Sequence, residues 1–100
     1  MRSERPRTLA FDTAAAHCAA VLLCGARVAA RRHEPMQRGQ AERLMPMLEE
    51  MLTEADHAWR DLDTIGVCTG PGNFTGCRIG VAAARGLAFG LGVPAIGVPA

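Results

Sequence analysis

An α/β fold with a mixed five-stranded sheet is predicted by three features of this chain. Short apolar runs bounded by turn residues recur along it, and two longer stretches with helical periodicity separate the later runs. The third is a glycine-rich segment, G-P-G-N-F-T-G-C-R-I-G at 70–80, that joins a buried run to the second helical stretch. Four glycines within it, with Pro71 between the first two, supply the φ freedom and fixed turn needed for a sharp exit from a sheet.

The elements follow in order. Residues 8–12, T-L-A-F-D, read as a first buried strand whose carboxyl end carries an acid. Residues 19–24 form a second, Gly25 turns the chain, and 26–32 form a third, giving an antiparallel meander. The alternation of Arg27, Ala29 and Arg31 against Val28, Ala30 and Arg32 is imperfect, as suits an edge strand with one wet face. Ala41, Leu44, Met45, Leu48, Met51, Leu52 and Ala55 then recur at helical spacing over about four turns. Met47 falls beside this stripe, and Pro46 predicts a kink or restart near 42–46. Residues 65–69 read as a fourth strand, 76–89 as a second helix stopped at Gly90-Leu91-Gly92, and 93–98 as a last strand.

Composition narrows the function classes. The chain has 100 residues, enough for one domain, which residues 8–100 fill behind an expected disordered, solvated lead-in at 1–7. A formal net charge of +1 with interspersed charges gives no basic stripe for independent nucleic-acid binding. Cys18, Cys24, Cys68 and Cys77 lack C-x-x-C spacing, and with three scattered histidines they read as buried thiols in a reducing, cytoplasmic setting. No run is long and apolar enough for a membrane span.

Two groups of residues carry candidate chemistry. The first is a phosphate or anion loop built from Asp12, Thr13, Gly70, Gly72, Thr75 and Arg78, because a strand-to-helix loop aims backbone N–H groups outward at a helix N-terminus. Either Thr75 or Asn73 caps that helix. Asp12 either helps hold a cation or phosphate or caps the turn at 13–17, and Arg78 either receives an anion or makes an ordinary ion pair. His17 reads as a surface residue; His33 and His57 read as having no special role. The second group is a partner interface of Leu44, Met47, Leu48, Met51, Gly80 and Ala84. Methionines adapt to more than one partner, and small residues at Gly76, Gly80 and Ala84, with Ala83, Gly86 and Gly90 alongside, admit a close neighbour. That neighbour is either the chain's own sheet or a second protein. On the second reading, Met47→Glu weakens association and leaves the monomer folded.

The order β-β-β-α-β-α-β is that of half of an actin/hexokinase/Hsp70-like, ribonuclease H-like ATPase domain. The motifs L-A-F-D-T at 9–13, R-L-M-P-M-L at 43–48, the glycine-rich 70–80 and R-G-L-A-F-G-L-G-V-P-A-I-G-V at 85–98 resemble the TsaB/YeaZ family. The likeness runs through nearly the whole chain from Leu9 onward.

That resemblance implies a non-catalytic subunit in formation of N6-threonylcarbamoyladenosine beside the tRNA anticodon. It implies pairing with the catalytic paralogue TsaD, the ATPase TsaE in the assembled complex, a homodimer when alone, and tRNA contact only through the complex. It implies no cofactor and no metal: where the catalytic paralogue carries the first histidine of H-x-x-x-H, this chain has Ala100. Ala14 also stands where the related ATPases usually carry a phosphate-loop glycine. The family has two such domains, so a second domain is expected to be absent or truncated here. An actin-like small-molecule kinase or ATPase half-domain is the alternative, and a glycoprotease-like metallopeptidase of the M22 type a more distant one.

Overall fold

The computed structural model describes residues 6–13, 16–70 and 74–99. Its elements are β1 (Arg7–Asp12), β2 (His17–Cys24), β3 (Arg27–Pro35), α1 (Gln40–Glu54), a short 3-10 turn (Trp59–Asp61), β4 (Thr64–Gly70), α2 (Phe74–Leu91) and β5 (Ala95–Pro99). The sheet has five strands in the order β3-β2-β1-β4-β5. β1, β2 and β3 pair antiparallel; β4 pairs parallel with β1 and β5 parallel with β4.

Hairpin chemistry explains the meander. β2 passes to β3 through Gly25 and Ala26, and Gly25 has φ 64°, a conformation that suits glycine at the first position of a two-residue connection. The imperfect alternation of β3 also has a cause: Leu22 pairs with Ala30 and Leu23 with Val28, so Ala29 is an extra residue in a bulge. The lead-in ends earlier than expected, since Arg7 belongs to β1. Its backbone N–H donates to Asp63 Oδ2 at 2.8 Å, and the Asp63 N–H donates back to the Arg7 carbonyl at 2.8 Å. This reciprocal pair joins the start of β1 to the residue before β4. Of the remainder of the expected lead-in, the Pro6 carbonyl accepts the Gly25 N–H at 2.8 Å, and residues 1–5 lie outside the described residues.

Two crossovers, β1 to β4 and β4 to β5, advance the same way across the sheet. Right-handed crossovers that advance together put their helices on one face, and α1 and α2 do touch. Strand alternation agrees. Leu9, Phe11, Cys18, Ala20, Leu22, Ile65 and Val67 are all buried and share the helix-covered face. Burying a side chain of the size of Leu22 or Ile65 stabilises by about 1.5–3 kcal/mol.

Helix α1 corrects two expectations. It runs unbroken through Pro46; Pro46 and Glu42 are both exposed, so the Glu42 carbonyl that loses its helical donor is on the side open to water. The apolar stripe is turned inward: Leu44, Met47, Leu48 and Met51 are each at most 1% exposed, with Leu52 and Gln40 beside them. Met47 lies in the centre of the stripe instead of widening it, and Met45, 38% exposed, is the methionine that faces out. These four residues are therefore filling for this chain's own core. Helix α2 ends at Leu91 with Gly92 at φ 70°, and the Val93 N–H returning to the Ala88 carbonyl at 3.1 Å delays β5 until Ala95. The short turn at Trp59–Asp61 was not foreseen. There Asp61 Oδ2 accepts the Ala58 N–H at 2.8 Å, which holds that carboxyl below its ordinary range.

A charged lattice ties α1 to the edge strand. Arg43 grips Glu34 of β3 through two bonds of 2.7 and 2.8 Å and reaches Glu50 at 2.9 Å. Arg32 of β3 reaches Glu50 at 3.1 Å and Glu54 at 3.3 Å. Hydrogen bonds from Arg43 hold the Glu34 and Glu50 carboxyls below their ordinary value, with Arg32 adding to the effect at Glu50.

Met47→Ala should cost about 2–5 kcal/mol in urea unfolding, because Met47 is fully buried, whereas Met45→Ala should change it by no more than about 0.5 kcal/mol. The lowered carboxyls give a second expected outcome. Their contribution is present above the ordinary value of 4.5 and is lost as pH falls through the folded-state values. The melting-temperature gap between the native chain and Arg43→Met should be widest near neutral pH and close on acidification, and salt should narrow it.

Candidate functional site

The candidate site lies at the carboxyl ends of β1 and β4, where the sheet meets the first turns of α2. Asp12 is the last residue of β1 and pairs with Ala19 of β2. Two residues before Ala19, His17 turns its Nε2 to Asp12 Oδ2 at 3.1 Å. The His17 ring lies 4.9 Å from that of His33, which pairs with Ala19 from the far side on β3. Asp12, His17 and His33 thus share one side of three adjacent strands. The Asp12 carboxylate is therefore bonded to a side chain of the next strand. His17 is more than a surface residue: its side chain is 22% exposed. The signal was present in the spacing, since an Asp that ends one strand and a His that opens the next are brought together when the two strands pair.

Thr13 is 1% exposed and sits beneath α2. A Cβ added at Gly80 would meet Thr13 Oγ1 at 2.8 Å and Val67 Cγ2 at 3.1 Å, so Gly80 seats the helix on the ends of β1 and β4. Ala84, one turn on, is 1% exposed. The Gly80 and Ala84 line therefore meets the chain's own sheet and not a second protein. Gly86 and Gly90 behave differently, being exposed with nothing within 4 Å of an added Cβ. Phe89, between them, is 92% exposed.

The rest of the expected anion loop is only partly placed. Gly70 ends β4 and Thr75 lies in the first turn of α2, while Gly72 and the capping candidate Asn73 lie outside the described residues. Arg78 is exposed and already engaged. Among the described residues no three His, Cys, Asp or Glu gather to hold a metal. Cys18 is buried, and burial, assisted by Glu34, pushes its thiol up; Cys24 and Cys68 are only partly buried, a correction to the expectation for them. No helix among the described residues is long and apolar enough to cross a membrane.

A mixed sheet of order β3-β2-β1-β4-β5 with α1 and α2 on one face defines an α/β domain of the ribonuclease H-like class. A family model described as "TsaD: tRNA N6-adenosine threonylcarbamoyltransferase" matches residues 25–100. The "tRNA threonylcarbamoyladenosine biosynthesis protein TsaB" of Escherichia coli is 39% identical over 92 residues, 92% of this chain and 39% of that protein. Its namesake in Haemophilus influenzae is 36% identical over 88 residues, 88% of this chain and 37% of that protein. The solved structure "YeaZ from Pseudomonas aeruginosa" superposes with a TM-score of 0.89 at 38% identity, covering 94% of this chain and 44% of that one. The chain belongs to the TsaD family, in its TsaB/YeaZ branch. It spans about two-fifths of the length of these TsaB relatives.

Gly80→Ala should destabilise by about 1–3 kcal/mol through overpacking against Thr13, while Gly86→Ala, with open space above it, should stabilise by about 0.5–1 kcal/mol. Urea unfolding of the two variants, compared side by side, separates the seated line of α2 from the free one.

Proposed function

We propose that this chain is a non-catalytic subunit in the formation of N6-threonylcarbamoyladenosine in tRNA and acts by associating with a catalytic TsaD-type paralogue. The observation that carries this reading is the similarity to TsaB over 92% of the chain. A relative named "tRNA N6-adenosine threonylcarbamoyltransferase", from Jannaschia sp., is also 49% identical over 61 residues, which fits a shared ancestry of partner and subunit.

The interface is assigned to the outward side of the helix layer, because the inward stripe is consumed by the core. Its residues are Met45 and Glu49 of α1 with Gly86, Phe89 and Gly90 of α2. A phenylalanine 92% exposed between two exposed glycines offers an anchor with room for a partner's backbone on either side. The same surface serves a homodimer when the paralogue is absent. TsaE joins the assembled complex, and tRNA is met only through it. Asp12, Thr13, Gly70, Gly72, Thr75 and Arg78 are proposed as an anion-receiving segment, supported by the order of the elements, in which β4 is followed by the N-terminus of α2.

Light scattering of the chain alone and mixed with the TsaD-type enzyme of its own organism tests the reading. A homodimer that yields to a stable heterodimer is expected. Phe89→Glu should weaken association at least about tenfold and leave the unfolding midpoint unchanged, since Phe89 contributes little to the core. A heterodimer that forms equally well with Phe89→Glu removes the helix layer from the interface; no heterodimer with the native chain removes the subunit reading.

A further inference from the structure

Two imidazoles and a carboxylate meet at the open end of the β2–β3 hairpin. Asp12 and His33 both pair with Ala19, from β1 on one side and from β3 on the other, and His17 stands two residues before Ala19 on β2. These side chains project from one face of the sheet, opposite the face on which Phe11, Cys18 and Ala20 are buried. Ala19, the smallest of them, leaves the space between the others clear. Asp12, Ala19 and His33 border an open hollow there.

The bond between His17 and Asp12 fixes more than a ring position. A carboxylate only accepts, so His17 Nε2 carries the proton that it donates to Asp12 Oδ2 at 3.1 Å. In the neutral ring Nδ1 then keeps its lone pair, the form of imidazole that takes up a metal ion. A carboxylate behind the ring also holds its orientation and raises its basicity, as it does behind histidines that ligate metals. His33 supplies a second imidazole. The two ring centres are 4.9 Å apart and the planes are tilted by 49°, so the rings are not stacked face to face. At a metal–nitrogen bond of about 2.0–2.1 Å an ion stands about 3.2 Å from each ring centre, and centres 4.9 Å apart then subtend roughly 100°, close to the tetrahedral angle of zinc sites.

We propose that His17 and His33 form a binding site for a divalent ion of the zinc class, with Asp12 as the positioning residue behind His17. Imidazole selects zinc, copper or nickel over magnesium and calcium, which prefer oxygen. Water completes the coordination, since among the described residues no third His, Cys, Asp or Glu joins the pair as a ligand. The site is distinct from the end of β5, where Ala100 replaces the first histidine of the catalytic paralogue: β1 and β4 lie between. An ion shared by the first residue of β2 and a residue near the end of β3 closes the hairpin opposite its Gly25 turn, and so favours the folded chain. The proposal goes beyond the subunit role and does not depend on it.

Zinc titration of the native chain, followed by long-range ¹H–¹⁵N imidazole spectra and by thermal unfolding, tests the site. His57, whose Nδ1 donates to the Ala55 carbonyl at 2.7 Å, is the internal standard. Before zinc, His17 should show the Nε2–H tautomer. One equivalent should shift His17 Nδ1 and His33 together, leave His57 in place and raise the melting temperature. His17→Gln and His33→Gln should each lose both the shift at the remaining ring and the rise in melting temperature, with an unaltered His57 signal to show that the variants fold. Asp12→Asn should bind about tenfold more weakly and lose the tautomer preference while keeping the one-to-one stoichiometry. Zinc that binds without a change at His17 and His33, or that still binds to both glutamine variants, belongs to the cysteines and overturns the proposal. Equal shifts at all three histidines mean adventitious surface binding and overturn it too, as does the absence of any shift at His17 and His33 in millimolar zinc.

Discussion

Strand β4 has to return parallel to β1, and most of this structure follows from that requirement. A parallel return cannot be made by a hairpin, so the chain must cross over, and α1 is the element that does it. The crossover has one favoured hand, which fixes the face on which α1 lies; β5 repeats the move through α2 and adds a second helix to the same layer. The reciprocal bonds between Arg7 and Asp63 set where β4 begins against β1. Once that register stands, Leu9 lies beside Ile65 and Phe11 beside Val67, and the helix stripe has a surface to meet.

Much of this could be read directly. The meander, the four-turn stripe of α1 and the glycine stop after α2 are local patterns, and each was placed within a few residues of its observed bounds. What escaped depended on pairing between strands or packing between elements, which no single segment displays. The bulge at Ala29 broke the alternation of β3 in a way the strand alone could not explain, because a bulge is a relation between two strands. The bond between His17 and Asp12 needed the hairpin closed before the two residues were neighbours. The use of Leu44, Met47, Leu48 and Met51 was the most consequential ambiguity. An apolar helical stripe looks the same whether a sheet of its own chain or another protein covers it, and here the sheet does.

Gly80 and Gly86 show why a line of small residues carries no meaning until its surroundings are known. Both lie on one helix, six residues apart, and both lower its intrinsic propensity. Gly80 is compensated by a contact with Thr13 and Val67 that no side chain would permit. Gly86 has no such compensation among the described residues. An uncompensated glycine beside a phenylalanine that is almost wholly exposed is a local inconsistency, and such inconsistencies collect where a surface has work outside the monomer.

The two unsatisfied surfaces also differ in kind, and they lie on opposite sides of the sheet. The helix layer has a closed apolar core beneath it and offers an anchor on top, so a partner could bind and leave without exposing that core. The bare sheet face offers Ala10 and Gly66, whose backbones approach closely, with no element over them among the described residues. The close approach of Gly80 to Thr13 and Val67 ties α2, and with it the exposed Phe89, to the ends of β1 and β4, so the position of the one side depends on the strands of the other.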